Sequence, residues 1–334
     1  MQSHHDVWLR ELSAIRQESM KVLTDTIGAP GTPVALLDVP RHRNLGDTLI
    51  WQGTLTYLTK LGYKLVYQSD HSQYSQDIVD KLPTNTVILL QGGGNLGDLY
   101  PMHNNFRHNV VAANHSRKIV LLPQSIFFSN DEELRKTANV FASHPNMVLL
   151  AREVPSLTTM KSRFIGNKVS FCHDMAFGLE VTRSANRSRE VIYVVRDDKE
   201  SIRGESDPSG PDWSNGGLLN NTMWHAARYA SGFFLRVCGK SSNVSQFIFR
   251  STNDVIRGLN MRAATRSFEK ADVVVTDRLH AHVLASLYDT QNFFSDNSYG
   301  KIRAVYDATS HRLSCGTPSQ SLRDASEKAK HYDK

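Results

Sequence analysis

Short, fully apolar runs that alternate with helical stretches constrain this chain more than any other feature. PVALLDV (33–39) is followed by a turn and the helical stretch DTLIWQGTLTYLTKLG. KLVYQ (64–68), a helix near 75–81 and TVILLQ (86–91) come next. KIVLLPQ (118–124), MVLLA (147–151) and KVSFC (168–172) complete the series, each set apart by helical or loop sequence. A strand that is apolar on every residue needs cover on both faces, which is the condition of a strand inside a parallel sheet. The pattern therefore predicts a doubly wound α/β domain with helices on both sides of the sheet.

Residues 180–190, EVTRSANRSRE, are polar and aperiodic and read as a linker. EVIYVVR (190–196) opens a second apolar series, with FFLRVCG (233–239), ADVVVTD (271–277) and QNFFSD (291–296) as further strands. The expected organisation is one α/β domain over 1–180, a second over 190–315 and a polar helical tail over 316–334. A length of 334 residues suits two domains of about 150. Forty per cent hydrophobic residues is enough for two buried cores. Segment 197–217 is rich in charge, glycine and proline and reads as a long loop, either a functional lid or a disordered insertion. At the N-terminus, Trp8, Leu12, Ile15 and Val22 stand at helical spacing, which predicts a helix packed on its own domain.

The net charge of +6 suits nucleic acid, a membrane surface or an anionic substrate. The chain has no run of five Lys/Arg and no aromatic residues interleaved with basic ones, which argues against nucleic acid. The apolar runs are far shorter than the roughly 20 residues of a membrane-spanning helix, so only peripheral membrane contact stays open. Cys172, Cys238 and Cys315 form no CxxC pair and are odd in number, so a reducing, cytoplasmic setting is expected. The histidines show neither HxxxH nor HExxH spacing, and no metal is expected. GxGxxG, Walker and GxSxG signatures are missing, which removes support for dinucleotide, nucleotide triphosphate and α/β-hydrolase chemistry.

In open α/β sheets ligands bind beyond the carboxyl ends of strands. After the first strand, Asn44 and Gly46 make a tight turn, and a helix starts at Asp47 or Thr48 with free N–H groups for an anion. Asp47 suits either a capping role or sugar hydroxyls. After the third strand, Gly92, Gly93 and Gly94 let the backbone approach a ligand closely. Gln124 and Ser125 end the next strand. Arg152 follows, beside Glu153, with a planar fork suited to carboxylate or phosphate. His173 and Asp174 lie at the last edge of the sheet. The sharpest segment is VVVTDRLHAHVLASL (273–287), where a strand runs into Asp277, Arg278 and His280 and a helix begins. A fixed cation two residues from an imidazole suits an anionic substrate that needs proton transfer. His282 points elsewhere on that helix. Asn297, Tyr299 and Lys301 follow the next strand.

RNLGDTLIWQG, LLQGGGNLGD, LLPQS, ARE, CHDMAF, TDRLHAHVLASL and DNSYGK, in that order over residues 40–305, resemble the polysaccharide pyruvyl transferase family. The resemblance implies two Rossmann-like domains facing a cleft, similar to B-type glycosyltransferases. It implies phosphoenolpyruvate as donor, a sugar in a glycan or a lipid-linked oligosaccharide as acceptor, and no cofactor. It also implies roles for the residues matching the family's motif, Arg278 and His280, and for Arg152. Asp277 or Asp174 would deprotonate the acceptor hydroxyl or orient His280. A glycosyltransferase with a nucleotide-sugar donor would share the fold, but no E-x7-E-like carboxylate pair is found for it. A non-catalytic anion- or glycan-binding module is the third reading.

Overall fold

The computed structural model describes residues 3–182, 190–196, 208–210, 213, 218–296 and 300–332. Helix α1 (His4–Ile27) comes first, followed by β1 (Pro33–Leu37), α2 (Leu45–Lys60), β2 (Lys64–Ser69) and α3 (Gln76–Asp80). The chain continues with β3 (Val87–Leu90), β4 (Gly93–Gly97), α4 (Pro101–Ala113), β5 (Ile119–Phe127) and α5 (Asp131–Ala142). Strand β6 (Met147–Ala151), α6 (Val154–Arg163), β7 (Lys168–Phe171) and a 3-10 turn (Met175–Gly178) complete the first layer. These strands form a seven-stranded sheet in the order β2-β1-β3-β5-β6-β7, with β4 joined to β5. Every pairing in it is parallel. Strands β1, β3 and β6 are buried along their full length, as their continuous apolar sequences require.

A second, four-stranded sheet, also all parallel, has the order β11-β10-β9-β8. It is built from β8 (Val191–Val194), β9 (Val273–Thr276), β10 (Gln291–Ser295) and β11 (Gly316–Ser319). Helices α7 (Leu218–Cys238), α8 (Asn243–Thr265), α9 (Leu279–Leu287), α10 (Lys301–Ala308) and α11 (Leu322–Lys330) accompany it. A 3-10 turn, Ser310–Leu313, precedes β11. One continuous core joins the two sheets, running from Val34 and Leu89 through Trp51 and Phe177 to Val274 and Leu284.

Three sequence expectations change. FFLRVCG is not a strand but the last turns of α7. Period alone cannot separate a short buried strand from a helical segment, and here the run belongs to a 21-residue helix. Trp224 and Ala227 of that helix pack on Ile256 and Leu259 of α8. The stretch expected as a helical tail carries β11 as well as α11, and Leu322, Ala325 and Ala329 pack on Val273, Val275 and Phe293 of the second sheet. Its sequence, GTPS, is too polar to read as a strand.

The N-terminal helix, expected on its own domain, bridges both layers instead. Arg16 Nε donates to the Phe177 carbonyl at 2.9 Å on one side. On the other side, Trp8 Nε1 donates to the Ser286 carbonyl at 2.8 Å. Arg312 pairs with Glu11 and Glu18 of the same helix at 3.1 and 3.0 Å. Of loop 197–217, only residues 208–210 and 213 are described, so the lid expectation lies outside the described residues.

Candidate functional site

The strand order reverses at β1, which has β2 on one side and β3 on the other. A reversal of this kind opens a crevice at the carboxyl ends of the strands, where the connecting segments part in opposite directions. A cleft of about 520 Å³ lies there, a size suited to a small ligand. Residues 42–47 after β1, Gly94 and Asn95 after β3, and Arg152 after β6 line its first wall. Arg196 after β8, Arg278 to His280 after β9, and Lys301 at the start of α10 line the second. Among the described residues the lining holds five Lys/Arg side chains (Arg43, Arg152, Arg196, Arg278 and Lys301) against one carboxylate, Asp47. A cavity of about 550 Å³ between β2 and α8 contains none of these strand-end residues.

Asp174 organises the chemistry at the join of the two walls. It is 1% exposed. Its Oδ1 accepts from Ala176 N at 2.8 Å, which caps the 3-10 turn. Its Oδ2 accepts from Arg152 Nη1 at 2.6 Å and lies 3.5 Å from His280 Nε2. Burial opposes ionisation of this carboxyl, but Arg152, His280 and the Ala176 N–H outweigh it and hold the group well below the usual carboxylate range. Arg152 is also buried, and its Nε donates to Ser125 Oγ at 2.8 Å. Its partner is thus Asp174 and not the adjacent Glu153, which caps α6 by accepting from Ser156 N at 2.8 Å.

Glycines set the closeness of this packing. A Cβ on Gly46 would sit 2.5 Å from His280 Nδ1, so only glycine lets the start of α2 meet that ring. A Cβ on Gly94 would sit 3.1 Å from Arg152 Nη2 and 3.8 Å from Lys301 Nζ. The triple glycine therefore runs beneath cations from both walls. Gly93 has φ 141°, a left-handed-side conformation that glycine adopts without strain. Gly92 packs against the Pro123 carbonyl and shapes the turn from behind.

Helix α2 starts at Leu45, two residues earlier than expected, because Asn44 is its cap, accepting from Gly46 N at 3.0 Å. Asp47 is thereby relieved of capping. It faces His42 Nε2 at 3.5 Å and reaches toward Gly93. Thr48 is buried and accepts from Asn260 Nδ2 at 3.0 Å, so it anchors α2 to α8.

The other sequence candidates divide. Gln124 is fully buried and donates to the Gln91 carbonyl at 2.9 Å beneath the glycine turn. Asp277 turns away from the cleft toward β8, accepting from Arg196 N at 2.7 Å, and burial raises its pKa. Arg278 Nε donates to the Val195 carbonyl at 3.2 Å, which braces its guanidinium at the cleft wall. His173 lies between Thr309 Oγ1 at 2.7 Å and Glu18 at 2.8 Å, a structural link between layers. His282 is sealed between Asn292 at 2.6 Å and Ser310 at 2.7 Å. Asn297 and Tyr299 lie outside the described residues.

Sequence reading missed His42, Arg43, Asn95, Tyr100, His103, Arg196 and Trp213. Arg196 ends an apolar run and was findable by the strand-end rule. The others reach the cleft from loops and helices whose approach no local pattern reports. Asp38, His71 and His103 bring ligand atoms within 4.8 Å of one another. Asp38 is already held by His103 Nδ1 at 2.7 Å and by the buried guanidinium of Arg107 at 3.0 Å, which meets its charge within the protein.

This arrangement defines an α/β protein with a strongly cationic cleft and a buried Arg–Asp pair beside a half-buried histidine, fit for a small anionic substrate. The chain belongs to the polysaccharide pyruvyl transferase family, whose model matches residues 44–299. It is 31% identical over 289 residues to EpsO of Bacillus subtilis, provisionally named a pyruvyl transferase, covering 85% of this chain and 86% of that one. It is 28% identical to Pyruvyl transferase 1 of Schizosaccharomyces pombe, over 83% of this chain and 70% of that one. A crystal structure of an uncharacterized Klebsiella pneumoniae protein superposes with a TM-score of 0.61 at 19% identity, covering 92% of this chain and 99% of that one, and shares the fold. Among the described residues no helix is long and apolar enough to cross a membrane.

Proposed function

We propose that the protein transfers a pyruvyl group from phosphoenolpyruvate to two hydroxyls of one sugar, within a glycan or a lipid-linked precursor, releasing phosphate. The observation that carries this reading is the convergence of Arg152, Arg278, Lys301 and His280, from both sheets, on one cleft. Phosphoenolpyruvate places a phosphate and a carboxylate on one small skeleton, and binding it needs at least two cationic sites. We read the two sheets as Rossmann-like domains facing a cleft, similar to B-type glycosyltransferases, with the reaction in the cytoplasm and no cofactor.

In the proposed reaction His280, as imidazolium, protonates the methylene carbon of the enol. A sugar hydroxyl adds to the cation that develops at C2 and passes its proton to the now neutral His280. Phosphate then leaves with its bond electrons, stabilised by Arg278 and Arg152. A second hydroxyl adds to C2, loses its proton and closes the ketal. Asp174 supports this scheme by its place: it bonds Arg152 at 2.6 Å and stands 3.5 Å from His280 Nε2, fixing both side chains at the cleft. Asp277, bound to the backbone of Arg196, acts as a positioning residue for the Arg278 segment. A positioned acid contributes about 10²–10⁴-fold, so His280→Gln is expected to lower turnover by at least 10²-fold. The assay is phosphate release from phosphoenolpyruvate with a panel of glycosides, and mass spectrometry identifies the ketal. Turnover close to that of the unmodified protein would remove His280 from the acid role.

A further inference from the structure

Helix α7 carries an apolar face that nothing in the cleft chemistry uses. Leu219, Met223, Tyr229, Phe233 and Val237 are 75, 45, 77, 50 and 65% exposed. Steps of four residues keep most of them on one side, with the small Ala226 and Ala230 between them. The stripe is about 27 Å long at 1.5 Å per residue. Val244 and Phe247, at the start of α8, extend it past the turn and are 51 and 68% exposed. So many large apolar side chains in one exposed row mark an interaction surface.

Charge selects the partner. Between Asp212 and Asp254 the chain has four Lys/Arg (Arg228, Arg236, Lys240 and Arg250) and no acid. Arg236 and Lys240 are exposed beside the stripe, with stems long enough to lie along an apolar surface and reach headgroups. A second copy of this chain, docked face to face along α7, would set Arg236 and Lys240 against their own equivalents, while Asp77, the carboxylate beside the turn, already accepts from Ser241 Oγ at 3.2 Å. An anionic lipid surface meets both requirements, burying the stripe in the acyl boundary and pairing the cations with headgroups.

The opposite face of α7 shows where such docking would place the site. Arg41 Nη2 donates to Ser231 Oγ at 2.8 Å, and Arg228 Nη1 donates to the Arg41 carbonyl at 2.7 Å. Arg43, which lines the cleft, lies over the Trp224 ring at 4.7 Å. The helix is thus fixed by its inner face to the loop that walls the cleft.

We infer that the outer face of α7 and the first turn of α8 seat the protein on an anionic membrane surface. This inference does not depend on the donor or the reaction, because lipid binding needs neither. The test is co-sedimentation of the full chain with vesicles of phosphatidylglycerol and phosphatidylcholine in equal parts, against phosphatidylcholine alone. Binding to the anionic vesicles is expected, weakening as salt is raised. Joint substitution Arg236→Gln and Lys240→Gln is expected to weaken it on the order of 30-fold, about fivefold per charge. Phe233→Ser with Val237→Ser is expected to weaken it at least tenfold while far-ultraviolet circular dichroism stays unchanged, since both side chains are half exposed or more. Equal binding to both vesicle types, or none to either, overturns the proposal. So does a dimer in light scattering that the Phe233→Ser and Val237→Ser pair converts to monomer, because the occupant would then be a second copy.

Discussion

Gly46→Ala tests whether the first turn of α2 and the His280 ring were shaped for one another. In a helix, alanine is ordinarily better than glycine by about 1 kcal/mol. Gly46 has no positive φ, so its backbone accepts alanine without strain. Local reasoning therefore predicts a neutral or slightly stabilised protein. The tertiary structure predicts otherwise for activity. The new Cβ would stand 2.5 Å from His280 Nδ1, 2.9 Å from Cγ and 3.1 Å from the His280 Cβ. Comfortable contact needs about 3.5 Å, so the ring must withdraw by about 1 Å. The 3.5 Å approach of His280 Nε2 to Asp174 would be lost with it. A displacement of about 1 Å at a reacting group costs on the order of 10²-fold in rate. Phosphate release should therefore fall by about 10²-fold while thermal unfolding moves by no more than a few degrees. In a His280→Ala background the same change should add little, because the ring is gone and only the Cβ contact at 3.1 Å is left. Undiminished turnover in Gly46→Ala, or an equal loss in both backgrounds, would refute the assigned contact.

Three further outcomes follow from the same geometry. Asp174→Asn removes the counter-charge of a buried arginine; a loss of about 3 kcal/mol is expected in denaturant unfolding, and unchanged stability would contradict the pairing. Gly53→Ala, inside α2, should destabilise by several kcal/mol despite better helix propensity, because its Cβ would lie 1.9 Å from the Met175 carbonyl oxygen; circular dichroism melts would show it. His282 is buried, and burial pushes its pKa down to about 4 from 6.5. The unfolded chain therefore binds a proton that the folded protein refuses between those values, and stability falls as pH drops through that window, by roughly 2 kcal/mol from pH 6.5 to 5. His282→Gln should flatten that part of the stability–pH curve, and a slope equal to that of the parent would exclude His282 as its source.

The sequence by itself determined the parallel α/β architecture, because strands apolar on every residue can be satisfied only between two covering layers. It also pointed to the strand ends, since Asn44, Gly92 to Gly94, Arg152 and Arg278 to His280 each follow an apolar run in sequence. These are local signals, carried by neighbours along the chain. What only the tertiary structure decided is which of those ends meet and which groups pair. Arg152 has Glu153 beside it in sequence but bonds Asp174, because the register of β6 and β7 brings those two together and Glu153 is turned into a helix cap. Asp277 adjoins Arg278 in sequence but faces β8, and the buried carboxylate nearest His280 comes from residue 174 in the other sheet layer. FFLRVCG, apolar enough for a strand, became helix because its exposed stripe is unneeded in the core and continues a longer helical period. In each case the deciding energy lies in packing between segments far apart along the chain, which a local pattern does not record.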